Sequence, residues 1–206
     1  MTVLSHRGYW LTPAEKNTVA AFERSFDLGF GTETDVRDHA GELVISHDPP
    51  RGGELTLAAF LDILGRRDLP LALNVKADGL AEGIRDALAG RGLTNWFVFD
   101  MSVPDTLRQL HAGNPVYTRA SEFEREPVLF DRAAGVWVDD FGGTDWWTDE
   151  QLGLWVALGK AVCLVSPELH GRDPAGLWGR VRGVESVSLC TDRPEEARRF
   201  FGGAEA

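Results

Sequence analysis

Three short motifs set acid–base and metal-binding side chains at intervals a β-strand can use. His6-Arg7-Gly8 ends the first apolar run, Glu33 and Asp35 lie two apart in GTETDVR (31–37), and His47-Asp48 closes ELVISHD (42–48). Asn74 and Lys76 form another such pair in LALNVKA (71–77). Residues i and i+2 of a strand point to one face, with Cα atoms roughly 6.5–7 Å apart. Glu33 and Asp35 therefore aim two carboxylates into one small volume, where a divalent cation relieves their repulsion. Oxygen-only donors suit a hard ion, so Mg²⁺ or Ca²⁺ is expected over zinc. Asn74 can add an amide oxygen as a third ligand, and Lys76 would hold an anion beside the metal. The plainer alternative is two unrelated carboxylates on a solvated strand. Imidazole both gives and accepts a proton near neutral pH, which makes His6 and His47 candidate proton-transfer groups. Strict alternation aims Arg7 away from His6; Gly8 is expected to turn the chain so that the guanidinium reaches the same place, where it suits a phosphate. His39, His111 and His170 fall in turns or helix ends and are given no role.

These residues need elements to hold them, and the pattern supplies an alternation. Strand-like runs are expected at 2–6, 31–37, 71–77, 96–101, 115–120, 135–140, 161–166 and 186–192, with 42–48 forming a short hairpin on 31–37. Helical periods lie between them at 18–29, 55–67, 80–92, 103–114, 148–160 and 173–183, and RPEEARRFFGG (193–203) closes the pattern. The segment 122–133 is less regular. Eight strands alternating with helices predict a compact (β/α)8 TIM barrel, one domain over 1–206 with no cap insertion. An open doubly wound sheet would want a GxGxxG turn after the first strand, and none is present. In a barrel, chemistry gathers at the C-terminal ends of the strands. Asp100, Tyr117, Arg119, Asp139, Asp140, Glu168 and Asp192 are expected to ring that mouth, with Trp10, Trp146 and Trp147 in the loops above it.

Composition narrows the partners. The 206 residues carry Asp+Glu 32 against Lys+Arg 21, a formal net charge of −11, which repels nucleic acid and anionic lipid. No apolar run approaches the ~20 residues of a transmembrane helix. The start, MTVLSHRG, has no basic stretch followed by an apolar one, so no secretory leader is expected. Cys163 and Cys190 stand in apolar strands outside any CxxC, as buried reduced thiols would, and a cytoplasmic location follows.

With HRG (6–8), NT (17–18), ETD (33–35), HD (47–48) and TDRP (191–194) in that order along nearly the whole chain, the sequence resembles the glycerophosphodiester phosphodiesterase family. His47 falling twelve residues after Asp35 makes the set specific. The resemblance implies a barrel enzyme acting on a small phosphodiester with one divalent cation, held by Glu33, Asp35 and a third ligand at position 74. It implies His6 and His47 as general acid and base, and Arg7 and Lys76 as the phosphate grip. In that mechanism a glycerol hydroxyl attacks phosphorus, the other alcohol leaves, and water opens a cyclic phosphate.

Two positions depart from the family pattern. Asn74 replaces its usual acid, which should weaken cation binding. Lys16 replaces the Glu of its ENT triplet, with Glu15 one place early as a substitute. Two alternatives follow: a lysophospholipid, sphingolipid or sugar phosphodiesterase releasing a cyclic phosphate, and a non-catalytic phosphate-binding barrel.

Overall fold

The computed structural model describes residues 1–184 and 186–202. The chain runs β1 (Thr2–His6), α1 (Val19–Asp27), β2 (Gly31–His39), β3 (Glu42–Ile45), α2 (Leu57–Leu64), β4 (Leu71–Val75), α3 (Ala81–Ala89) and β5 (Trp96–Phe99). It continues α4 (Val103–Ala112), β6 (Tyr117–Ala120), β7 (Gly135–Val138), α5 (Asp149–Ala157), β8 (Ala161–Val165), α6 (Ala175–Arg180), β9 (Val187–Thr191) and α7 (Pro194–Gly202). Gly203, expected to end the last helix, lies outside the described residues.

The helices start where the sequence gives them caps. Thr18, Thr56, Ser102 and Thr148 accept backbone N–H groups of the first turns of α1, α2, α4 and α5. Between β6 and β7 only a 3-10 turn forms, at Phe130–Arg132. That matches the irregular 122–133, whose Arg-Glu-Pro breaks a helical period.

Eight strands pair in parallel in the order β5-β4-β2-β1-β9-β8-β7-β6, and β3 is an antiparallel hairpin on β2. The ring closes between β5 and β6 through a single bridge, Val98 to Val116, with Val98 N donating to Pro115 O at 2.9 Å. This is a TIM barrel, closed firmly on seven sides and lightly on the eighth.

Alternation along the strands sorts the side chains. Leu4, Ala72, Phe97, Phe99, Trp137, Cys163, Val165 and Cys190 fill the interior. Phe99 stacks on Trp137 with ring centroids 3.8 Å apart, and Phe97 on Tyr117 at 3.6 Å. Both cysteines are free and buried, and burial pushes the Cys163 thiol well up. The opposite face of the strands packs under the helices, as where Phe22 of α1 meets Phe60 of α2 edge-on at 4.6 Å. Two residues beyond the plugged interior positions stand His6 after Leu4, Asn74 after Ala72, Asp139 after Trp137 and Asp192 after Cys190. The same parity that builds the aromatic floor thus delivers the polar groups above it.

Among the described residues no helix is long and apolar enough to cross a membrane.

Candidate active site

The acidic couple sits at the centre of the mouth. Glu33 and Asp35, on β2 between β1 and β4, are 2% and 0% exposed. In register, His6 stands opposite Glu33 and Asn74 opposite Asp35. Burial, with Asp35 beside it, pushes the Glu33 carboxyl up to about 8. Asp35 sits among donors. Arg7 Nε lies 3.0 Å from its Oδ2, Lys76 Nζ 3.6 Å from its Oδ1, and Asn17 Nδ2 donates to Oδ2 at 2.9 Å. Thr34 Oγ1 donates to Asn17 Oδ1 at 2.9 Å and fixes the amide the right way round.

His6 ends β1 and is clamped from the last strand. Its Nδ1 lies 2.7 Å from Asp192 Oδ1, and its Nε2 lies 4.0 Å from Glu33 Oε2. A carboxylate can only accept, so Nδ1 carries the proton and Nε2 is left with its lone pair toward the mouth. Burial lowers the His6 pKa below the ordinary histidine value, and the Asp192 hydrogen bond works against that fall.

Arg7 reaches the mouth by a route different from the expected one. The turn begins at Arg7 itself, which adopts φ 59, followed by Gly8 at φ 82. Arg7 N donates to Glu33 O at 2.9 Å and to Glu33 Oε2 at 3.2 Å, so the left-handed backbone is held by the acid it serves. Gly8 is required for a second reason: a Cβ there would sit 2.8 Å from Ala21 Cβ of α1.

His47 stands apart from this centre. It lies beyond β3 with its side chain 46% exposed, bonded through Nδ1 to Asp48 Oδ1 at 2.8 Å. No hydrogen bond or ion pair joins it to His6 among the described residues. It shares an open cleft with Arg7, Lys16, Asn17 and Ser46, and so stands on the same rim.

Several residues acquire a place that spacing alone did not give. Asp192 is the partner of His6. Asp100, at φ 70 just past β5, lies 3.5 Å from Lys76 Nζ and also pairs with Arg119. His170, given no role above, lies at the mouth with Nε2 2.7 Å from Asp139 Oδ1. Glu15 does not substitute for the missing acid of the ENT triplet: it accepts from Leu11 N and Arg24 Nη1, both at 2.9 Å, and is turned to α1. Lys16 instead rests over the Trp10 ring, 4.5 Å from its centroid, and Trp10 donates to His6 O at 3.1 Å. Trp147 is 5% exposed and belongs to the packing outside the barrel rather than to the mouth.

Whether the centre suits a cation can be tested on its own atoms. Asp35 Oδ1 and Asn74 Oδ1 are buried without a hydrogen-bond partner, and Glu33 stands two residues from Asp35 on the same face. Orphaned oxygens of this kind, hard and facing one volume, fit Mg²⁺ or Ca²⁺. Among the described residues no group of three His, Cys, Asp or Glu side chains has metal-site spacing.

No protein-family model matches the chain, and no curated protein matches it. Solved structures do. A glycerophosphodiester phosphodiesterase from Agrobacterium tumefaciens superposes at TM-score 0.75 with 17% identity, over 98% of this chain and 100% of that one. The chain has its fold. Another glycerophosphodiester phosphodiesterase, from Parabacteroides distasonis, gives TM-score 0.69 and 20% identity over 98% and 96% of the two chains. A phosphodiesterase from Oleispira antarctica, solved with its product sn-glycerol-3-phosphate, gives 0.69 and 16% over 98% and 97%. All three are spanned nearly end to end, so the barrel is the shape they share with this chain.

Proposed function

We propose that this chain is a glycerophosphodiester phosphodiesterase, hydrolysing a glycerophosphodiester or a related small phosphodiester to an alcohol and a phosphomonoester. The observation that carries the reading is the His6–Asp192 pair at 2.7 Å, its free Nε2 turned toward the buried Glu33–Asp35 couple. The likeness to barrels of that activity supports it, including the one solved with glycerol-3-phosphate.

Glu33, Asp35 and Asn74 would hold one divalent cation, Mg²⁺ or Ca²⁺. The ion would supply charge to the phosphoryl oxygens as the transition state forms. His6, kept neutral by burial, takes a proton from the attacking hydroxyl at Nε2. His47, exposed and bonded to Asp48, gives a proton to the departing alcohol from the cleft it shares with Arg7. Arg7 and Lys76 hold phosphate oxygens. Both cations are shared with Asp35, so the ammonium of Lys16, in no ion pair among the described residues, adds attraction for the anion at the same rim. The reduced buried thiols fit a cytoplasmic setting. Release of a cyclic phosphate from a lysophospholipid, sphingolipid or sugar diester is the second outcome the test distinguishes.

The test is hydrolysis of a panel of phosphodiesters followed by phosphorus NMR of the products. Turnover of glycerophosphocholine or an aryl phosphodiester is expected with Mg²⁺ or Ca²⁺ and is expected to disappear with EDTA. Activity indifferent to chelation would remove the metal role of Glu33, Asp35 and Asn74. A panel with no turnover at all, on folded protein supplied with metal, would remove the enzyme.

A further inference from the structure

The carboxylate of Glu168 takes part in no ion pair among the described residues, yet both its oxygens are engaged. It lies in the 3-10 turn Pro167–His170 that follows β8. Its Oε2 accepts from Ser166 Oγ. Its Oε1 accepts from Thr191 Oγ1 and from the backbone N of Asp192, the latter at 3.1 Å.

The hydroxyls around it have one consistent direction. Ser166 Oγ accepts from Trp178 Nε1 at 2.9 Å and so donates onward to Glu168. Thr191 Oγ1 accepts from Arg193 N at 3.0 Å and likewise donates to Glu168. Ser166 and Thr191 are both 0% exposed, and Trp178 is anchored beneath α7 by Phe200 and Phe201 at 5.7 and 5.9 Å. Ser166 N also donates to Cys190 O at 2.9 Å, joining the ends of β8 and β9. A chain of bonds thus runs from the packed outside of the barrel to the backbone amide of the residue that clamps His6.

We infer that Glu168 is a positioning residue for His6: by fixing the Asp192 backbone it sets the carboxylate that holds the imidazole in register with Glu33. This rests on the reading of His6 as a proton-transfer group. The physical reason is that Asp192 is one residue beyond β9, where the ladder to β1 no longer holds it; the ladder pairs Ser5 with Thr191 and goes no further. Glu168 supplies the hydrogen bond the ladder lacks. Three donors converge on this one side chain, and the two on Oε1, including Asp192 N, need only an acceptor oxygen there.

The test compares Glu168→Ala and the isosteric Glu168→Gln with Asp192→Ala and with the Glu168→Ala/Asp192→Ala double variant, each checked for folding by thermal melting. A misplaced imidazole costs turnover rather than binding, so kcat is expected to fall about 10–100-fold in Glu168→Ala with KM nearly unchanged. Glu168→Gln keeps the oxygen facing Asp192 and is expected to retain most of kcat. The double variant should be no slower than Asp192→Ala alone, because the two act as one unit. The hydrogen-bonded Nδ1–H proton of His6, read by NMR in the wild type, should vanish in Asp192→Ala and weaken in Glu168→Ala.

Additive losses in the double variant would overturn the inference, as would wild-type kcat or an unaltered Nδ1–H signal in Glu168→Ala. The NMR arm needs no substrate. Should the wild type hydrolyse no diester, that would refute the proposed function, while the imidazole signal would still decide the role of Glu168.

Discussion

His6 has one nitrogen committed and one available, and the committed one decides what the other does. Asp192 orients the ring and offsets part of the pKa fall that burial causes. A base must be neutral to act, so activity should be lost on acidification through the His6 pKa, below the ordinary histidine range. In Asp192→Asn the offset disappears, so the acid limb of kcat/KM should move to still lower pH while the plateau drops at least about tenfold through lost orientation. A pH–rate profile of the two proteins checks both signs, and an acid limb that moves upward would contradict the assignment. Asn74 makes a second claim at this scale. Its orphaned oxygen is neutral where a charged ligand would bind harder, so Asn74→Glu should tighten Mg²⁺ or Ca²⁺ binding, as calorimetric titration would read. An unchanged affinity would put residue 74 outside the coordination sphere. Spacing alone revealed the ExD pair and the two histidines, since strand parity is local. It did not reveal the bonds of Asp192, Glu168 or His170, because each depends on which strands become neighbours once the ring has closed.

The strands act as rulers, and their inner faces leave little slack. At Gly135 a Cβ would fall 2.7 Å from the Tyr117 ring and 2.6 Å from Ala161 O, so β7 passes where only a hydrogen fits. Gly135→Ala is expected to destabilise the barrel by about 1–3 kcal/mol, measured by urea unfolding, because the aromatic floor cannot yield without off-rotamer side chains. A neutral effect would mean that Tyr117 and its partner Phe97 repack freely. All eight barrel strands and all seven helices lie where periodicity set them, and the differences are at their ends. The run 71–77 is strand only over Leu71–Val75, and 115–120 only over Tyr117–Ala120, with Val116 left in an isolated bridge. Alternation does not mark where a ladder stops; the neighbouring strand's length does. The turn at Arg7 is the sharper case. Glycine at position 8 gave the turn away, but the left-handed backbone one residue earlier comes from a hydrogen bond to Glu33, which no local pattern contains.

Taken whole, the molecule buries its acidic couple in a chain that already carries a net charge of −11. Glu33 is pushed from 4.5 to about 8, so between those values the folded state holds more protons than the unfolded one. Stability must then fall as pH rises across that window. Measured against Glu33→Gln, which cannot ionise, the wild type in EDTA should lose melting temperature from pH 5 to pH 8, and Mg²⁺ or Ca²⁺ should restore it. A difference that grows in favour of the wild type with rising pH, in the absence of metal, would reverse this picture of the couple. The closed ring was legible from eight alternating units, whereas its thin seam at Val98 and Val116 was not, because hydrogen bonding between β5 and β6 depends on how the two halves meet. On the far side of the ring those halves meet through β1 and β9, and there His6 and Asp192 touch across 186 positions of chain. Under the proposed function, a nascent polypeptide on the ribosome would carry the acids, the guanidinium and both imidazoles before His6 could meet Asp192. Competence would then arrive with the docking of one late strand, and catalysis would be a readout of finished assembly.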